Sequence, residues 1–587
     1  MHWSVSGAPS CKRPLGAGLE LVSESSPTRS TGRPLMNSFK IWLAIGAVIA
    51  MAVVPGDSLW AQSRASQGFL RTVAISGTLA PGTTTTFDSF GVLLNTSSYV
   101  PSMNADGHVA FQANAGGLEG IWTEAGGAGL SLAAQRGRQV PGMPNGVVFN
   151  HVLLPRISDS GTTGFHTSMI GPGVSDTDDE MLWVVDHGGA PEIVYREGTA
   201  AAGVESDVTF GVGSGGFLLN ATGDEAFSAA LRGPSISTLN EQGLWAYRNG
   251  NQELIVRGGQ QAPGMAVGTN FLSTVNSSMN ARAEMAFSAT LTGGDTTSAN
   301  DRSIWRETET GDLQIVMRSG DPAPDMQAGF AFAGGVAPTL VGFNSAGQVA
   351  YTASLLGPGV NTDNDRGVWI KDPDGPAHLV AREGAQAPGL PLGAVYGNFQ
   401  SVKMNSVGET ALHALVEGLG VIDPNDEAVF ALSGGESRVI MRRGDTAPGA
   451  PTGATISDIS RSSLNAQGQV IIQGSIALVG GGHVQRAIWM EDLSHHLRLV
   501  IAEGDQLEVT AGDVRTVARL NLFLAAGGGD DGQIRSFNDR GEVSFIANFT
   551  DGSSGVFVSS VPEPRSLELM AIAIFGGYMF VRLRRRR

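Results

Sequence analysis

Two loops gather oxygen atoms closely enough to hold a hard cation. One runs Gly171-Pro-Gly-Val-Ser-Asp176-Thr-Asp178-Asp179-Glu180, the other Gly357-Pro-Gly-Val-Asn361-Thr-Asp363-Asn-Asp365. Asp176, Asp178, Asp179, Asn361, Asp363 and Asp365 are the candidate ligands, because Ca2+ takes roughly six to eight oxygens in a flexible shell. An EF-hand is excluded: Arg366 stands where that loop requires glycine, and no bidentate glutamate closes it. The same side chains serve equally as turn caps before the Trp369 strand. The sequence therefore carries both readings, structural turns and a Ca2+ site, and requires no cofactor.

A second set of chemical groups recurs with the arginines of Arg136-Gly137, Arg196-Glu197-Gly198, Arg257-Gly258-Gly259, Arg318-Ser319-Gly320, Arg382-Glu383-Gly384 and Arg442-Arg443-Gly444. Around a pore they would bind an anionic polysaccharide. Beside Glu197 or Glu383 they are more cheaply explained by surface or inter-unit ion pairs. The histidines are scattered, and His495-His496 is their one adjacent pair. There is no Gly-x-Ser-x-Gly elbow, zincin motif or phosphate loop. Gly211-Val-Gly213-Ser-Gly-Gly216 matches a dinucleotide fingerprint by letters, yet it opens an apolar strand rather than a helix, so it reads as a glycine-rich turn. Carboxylates suffice for a two-acid glycosidase, but their abundance selects no pair. No catalytic residue is named.

The elements that would position these groups come from an internal repeat, clearest over residues 220–264. Asn220, Phe227, Trp245, Arg257 and Pro263-Gly264 recur as Asn280, Phe287, Trp305, Arg318 and Pro324, and again as Asn344, Tyr351, Trp369, Arg382 and Pro388-Gly389. Asn-x-x-Gly is a type I turn signature; Ser158 replaces the asparagine once, and Ala283 replaces the glycine after Asn280. An alternating run such as Val109-Ala110-Phe111-Gln112-Ala113 follows each turn and reads as a strand with one buried face. An aromatic comes next, at Trp122, Trp183, Trp245, Trp305, Trp369, Phe430, Trp489 and Phe557. Phenylalanine substitutes for tryptophan there beside apolar neighbours, so the position is read as a core anchor rather than an exposed platform for sugar rings. A third strand ends in Arg-x-Gly, and Ala-Pro-Gly then suits a type II turn. A fourth apolar stretch leads to the next asparagine.

The fold class is therefore all-β, with four short strands per repeat. The turns (104, 158, 220, 280, 344, 405, 465, 538) and the strand-ending glycines (77, 137, 198, 259, 320, 384, 444, 504) are out of phase. The repeat region opens with the second half of a unit at Val73–Gly77 and closes with the first half of one at Asn538–Phe557. Complementary halves predict a ring: an eight-bladed β-propeller whose N- and C-terminal strands share a blade. The alternatives are a seven-bladed ring or a β-solenoid, the latter normally carrying distinct caps. The last blade is the weakest, since Gly527-Gly528-Gly529-Asp530-Asp531-Gly532 marks an insertion.

Composition and the two ends supply an address. A formal net charge of −17 argues against nucleic acid, which needs a basic footprint. The single cysteine, Cys11, permits no disulfide framework. Residues 1–35 read as a spurious or disordered extension. Residues 36–61 read as a signal peptide, with Lys40, the apolar run Ile41–Val54 and a cleavage site after Leu59-Trp60-Ala61. Domain boundaries follow at 70–560 for the repeats and 561–587 for the tail. In that tail Pro562-Glu563-Pro564 precedes the apolar run Leu567–Val581 and the arginines Arg582 and Arg584–Arg587. The run is marginally long enough for a membrane span, with the basic end on the cytoplasmic side.

The tail resembles a PEP-CTERM sorting signal, and Asn220-Ala-Thr-Gly-Asp-Glu-Ala-Phe227 resembles the NxxGxxAF tandem repeats of the choice-of-anchor family. The first resemblance implies recognition of Pro562, Glu563 and Pro564 by an exosortase and removal of the tail; a plain C-terminal anchor is its alternative. The second implies an exported surface protein and no reaction. Together they predict a non-catalytic protein of the cell surface or extracellular matrix, with exopolysaccharide or another surface protein as partner and the membrane met only through the tail. The rival expectation is a secreted polysaccharide hydrolase or lyase with a pocket on the propeller axis.

Overall fold

The computed structural model describes residues 69–90, 100–127, 129–186, 189–481, 484–521 and 531–561. The signal-peptide segment, Cys11 and Pro562-Glu563-Pro564 lie outside them. The described residues contain no helix long and apolar enough to cross a membrane. Their strands form eight antiparallel sheets, which are the eight blades.

Blade 3 shows how sequence becomes blade. Its strands Thr209–Leu219, Glu225–Arg232, Gln242–Arg248 and Asn251–Arg257 pair strictly in chain order. Phe227 stands opposite Trp245, and both are buried. The fourth strand slips by one residue beside Leu244/Trp245, a bulge repeated beside Trp122, Trp305, Trp369, Phe430 and Trp489. Such bulges sharpen the local twist, which suits blades stacked around an axis.

Ring closure follows the out-of-phase halves. Leu70–Ile75 pairs antiparallel with Ser554–Ser560, from Leu70 opposite Ser559 to Ile75 opposite Gly555. The first strand of the repeat region is thus the fourth strand of blade 8. Eight sheets closed in this way exclude the seven-bladed and solenoid alternatives.

The aromatic anchors are core residues: all eight positions are fully buried, or nearly so. The indole N–H of Trp122, Trp245, Trp369 and Trp489 donates to the carbonyl of Pro81, Ala202, Pro324 and Pro448 at 2.9–3.1 Å. Each acceptor sits in the turn linking two blades, so the anchor ties its blade to the incoming chain. The Gly-x-Trp spacing has a steric cause: a Cβ on Gly120, Gly243 or Gly367 would lie 2.4–2.6 Å from the indole two residues later. The Pro-Gly turns are type II, as Gly82 (φ +76°) and the 3.1 Å bond from Thr83 N to Ala80 O illustrate.

Asn-x-x-Gly does more than turn the chain. In each turn the asparagine Oδ1 accepts backbone N–H groups from within the turn, as Asn465 does from Gln467 and Gln469. Its Nδ2 donates to the carbonyl of the next blade's turn residue. The links run Asn104 to Ser158, Asn220 to Asn280, Asn280 to Asn344, Asn344 to Asn405, Asn405 to Asn465, Asn465 to Asn538, and Asn538 back to Asn104. Where Ser158 lacks an amide, the Ser160 N–H bonds Ala221 O instead at 3.0 Å. Ala283, in the glycine position, takes φ +63°.

Candidate functional site

The two acidic loops and the strand-ending arginines prove to be parts of one device. In the second-to-third-strand loops, Asp178, Asn240, Asn300, Asn364 and Asn425 each accept the N–H of the residue three before them at 2.6–3.0 Å. The Nε of Arg196, Arg257, Arg318, Arg382 and Arg442 then donates to the carbonyl of that same cap at 2.8–3.4 Å. Arg196 also pairs with Asp178 and Arg257 with Glu205. These arginines lie on fourth strands, away from the axis, which overturns the pore-ring reading. They clamp loops.

Of the candidate calcium ligands, Asp178 is engaged by Ser175 and Arg196, and Asn361 accepts the Asp363 N–H at 2.9 Å. Asp176 and Asp363 are exposed, while Asp179 and Asp365 use their main-chain carbonyls to hold Met169 and Leu355. No group of three or more His, Cys, Asp or Glu side chains placed to hold a metal occurs among the described residues. Asp365 also faces Glu383; burial first, then that neighbouring carboxyl, raises the Glu383 pKa to about 7.

Gly211–Gly216 is not a turn. It lies within the first strand of blade 3, which slips register between Phe210/Gly213 and again between Gly213/Phe217. The slips leave a cavity of about 10 Å³, room for one water, beside His166, Tyr195 and Ser228. Burial lowers the His166 pKa to about 4, so its imidazole is neutral at pH 7.

Sequence reasoning placed a pocket on the axis in its enzymatic alternative but missed the chain segment that crosses it. The chain after the blade 8 insertion, Asp531–Arg535, crosses it and bonds the innermost strands of four blades. Met279 N donates to Asp531 O at 3.1 Å, Leu219 N to Gly532 O at 3.0 Å, and Met103 N to Arg535 O at 2.8 Å. Arg156 Nη1 reaches Gly532 O at 2.9 Å, Gln533 Nε2 reaches Ser277 O at 3.2 Å, and Arg535 pairs with Asp159. A methyl on Gly532 would meet Met279 O at 3.1 Å and Leu218 Cβ at 3.2 Å. The segment thus reaches from blade 8 to the inner strand of blade 4 on the opposite side.

Charged side chains from separate blades converge on it. Arg156 is buried, with its guanidinium 4.7 Å above the Phe217 ring, and burial lowers its pKa to about 10. Glu225 is fully buried and neither carboxyl oxygen has a hydrogen-bond partner, so desolvation pushes its pKa well above the usual carboxylate range despite Arg156. Lys403 is half-buried, and burial lowers its pKa while Asp531 opposes the fall.

Their signal lay in the repeat register. Two residues before the turn stand Ser102, Arg156, Leu218, Ser278, Gly342, Lys403, Ser463 and Ser536; five after it stand Val109, Thr163, Glu225, Met285, Val349, Thr410, Val470 and Val543. Arg156, Lys403 and Glu225 are the charged exceptions.

Eight four-stranded blades, closed by pairing of the first and last strands, define a β-propeller. Residues 45–386 and 374–568 match the family of unknown function DUF7453, and the chain belongs to that family. Comparison with curated proteins returns no match. Among solved structures, the chain is similar to the β-propeller domain of the trilobed protease from Pyrococcus furiosus (8% identity, TM-score 0.33, covering 71% of this chain and 94% of that one). It is also similar to polysaccharide lyase Uly1 (9%, TM-score 0.34, 74% and 99%). A third similarity is to the acylaminoacyl peptidase of Pyrococcus horikoshii (10%, TM-score 0.34), where it covers 69% of this chain and spans about half the other, 52%. The eight sheets themselves, not these likenesses, carry the fold.

Proposed function

We propose that the protein is an exported, surface- or matrix-associated propeller that binds exopolysaccharide or another surface protein without acting on it chemically. The observation that carries this reading is the axial segment: Asp531–Arg535 crosses the axis and bonds the inner strands of four blades, where a propeller enzyme would open a pocket for groups from several blades. The loop clamps support it too. Arginine and a capping Asn or Asp hold five loops to one frame while the residues between vary, an arrangement suited to display.

Export by residues 36–61 and sorting at Pro562-Glu563-Pro564 belong to the same proposal and rest on sequence. One observation favours a secreted polysaccharide-acting enzyme as the second reading: Arg156, Glu225, Lys403 and Asp531 do converge on the axis.

The full chain incubated with the exopolysaccharide of the cells that make it separates the two. Retention on the polymer at constant viscosity supports binding. A steady fall in viscosity replaces it with the enzymatic reading.

A further inference from the structure

At the seam where the ring closes, between blades 8 and 1, the chain departs from its repeat at three places. The first lies four residues after the turn asparagine. Asp224, Glu284, Gln348, Glu409, Gln469 and Glu542 stand there, each accepting Nδ2 of its own asparagine at 2.7–3.3 Å. Blade 1 carries His108 instead, half-buried.

The second departure is the hairpin after the third strand. Arg71 pairs with Glu124 across this seam, as Arg248 does with Glu307 and Arg438 with Glu491 across two others. After Glu491 the hairpin sends His495 back onto Arg438 at 3.1 Å, and after Glu307 it sends Glu309 to Arg282 at 3.2 Å. After Glu124 it runs through Gly126, Gly127 and Gly129, where an added Cβ would meet nothing within 4 Å. The third departure is Phe69, one residue before the closing strand and 54% exposed.

Together these departures open a cavity of about 340 Å³, lined by Phe69, Arg71, Asp106, His108, Glu124 and Glu542. Small-ligand pockets span about 300–1,000 Å³. The charges of the cavity do not balance among the described residues. Arg71 is taken by Glu124, and Arg540 pairs with Asp106, which leaves Glu542. Glu542 leans across the seam, since a Cβ on Gly107 would lie 2.6 Å from its Oε2. It gives that oxygen to Asn538, and a carboxylate has about four acceptor sites in all. An aromatic face such as that of Phe69 attracts cations as well as apolar surface. A carboxylate without a cation, an imidazole and an exposed aromatic ring around one cavity suit a ring that bears hydroxyls and an ammonium group.

We propose that the seam cavity binds an amino-sugar unit of a polysaccharide. The inference rests on the polymer-binding reading above and gives it a site and a ligand class. Phe69 stacks on the sugar ring, Glu542 takes the ammonium, and His108 and Asp106 hold hydroxyls. The cavity lies at the turn end of the blades, opposite the clamped second-to-third-strand loops, so those loops can vary without changing the sugar held.

The test uses the full chain as wild type, Phe69→Ala and Glu542→Gln. Glu542→Gln follows the repeat's own Gln348 and Gln469, and Phe69 precedes the first strand, so neither change disturbs a blade. Affinity is measured by calorimetry for a glucosamine tetramer, its N-acetylated form, tetragalacturonate and tetralysine. The glucosamine tetramer is expected to bind tightest, and Phe69→Ala to weaken both glucosamine forms at least tenfold. Glu542→Gln is expected to weaken the glucosamine tetramer at least tenfold and the N-acetylated form less than threefold, because acetylation removes the charge. Binding that neither substitution weakens overturns the site. An equal loss for both glucosamine forms in Glu542→Gln, or tighter binding of tetragalacturonate, overturns the amino-sugar class. Tighter binding of tetralysine overturns the sugar altogether. If the wild type is retained on exopolysaccharide but binds no tetramer, the site fails and the binding reading stands. If it binds neither, both fail.

Discussion

The side-chain amide of Asn538 donates to the main-chain carbonyl of Asn104, 3.3 Å away, and so ties the last blade to the first. The same bond recurs between neighbouring turns around the axis, with Ser158 the one member that lacks the amide. Each asparagine closes its own turn through Oδ1 and holds the next through Nδ2, which no smaller or charged side chain can do at once.

Replacing Asn465 with alanine removes the Nδ2 bond to Asn538 O and the two N–H bonds to its Oδ1. These groups are buried, so the expected loss is about 2–4 kcal/mol. Denaturant unfolding of Asn465→Ala should show it. Ser158→Ala should cost less, since its link is already carried by the Ser160 N–H.

Ala283 supplies the converse. A φ of +63° strains any residue with a Cβ, so Ala283→Gly should stabilise by about 0.5–1 kcal/mol. An unchanged or lowered midpoint would mean that the added freedom of the unfolded chain outweighs the relieved strain.

Arg71, on the closing strand, reaches into blade 1: its guanidinium lies 2.6 Å from Glu124 Oε1 and 2.6 Å from Gly107 O. Glu124 also accepts the Val109 N–H at 3.0 Å. Arg71→Ala leaves that carboxylate largely buried without its cation, at a cost of about 2 kcal/mol after allowing for the partial exposure of Arg71. The loss should be local. Hydrogen exchange is expected to quicken first in Leu70–Ile75 and Ser554–Ser560, the paired strands at the seam.

Acidity should act through Glu383. Its folded pKa of about 7 lies above its unfolded value near 4.5. The neutral form therefore contributes stability that is full below about pH 4.5 and is lost as pH rises through 7. Glu383→Gln should flatten that part of the stability profile and leave the protein more stable than wild type at pH 8, by on the order of 1–2 kcal/mol. Equal slopes for the two proteins between pH 5 and 8 would remove Glu383 from the account.

How much of this was legible depended on whether a residue obeyed the repeat. Trp245, Asn220 and Pro263-Gly264 recur in register, and periodicity alone assigned them to core, turn and link. The phase offset between turns and glycines carried the ring closure, because a half-unit at each end can be completed only by the other. Arg257 was legible as structural but not as a loop clamp, since its acceptor is a main-chain carbonyl and leaves no side-chain pattern. The calcium reading of Asp178 had the same weakness: oxygen-rich loops look alike whether they bind an ion or cap a turn.

The axial residues were the least legible. Arg156, Lys403 and Glu225 matter because they break the pattern at positions that face inward, and facing is a property of the ring rather than of one repeat. Asp531 lies in an insertion, where the repeat offers no register at all.

Whether Asp531–Arg535 stays bonded across the axis is the point on which the functional account turns. Hydrogen exchange at the amides of Met103, Leu219 and Met279 tests it most directly, because all three donate to the segment at Arg535, Gly532 and Asp531. A segment held permanently across the axis predicts protection as long-lived as that of the blade-core amides of Phe227 and Trp245. Rapid exchange at these three positions, with the blades still protected, would contradict a segment held across the axis and return the open-pocket enzyme to first place.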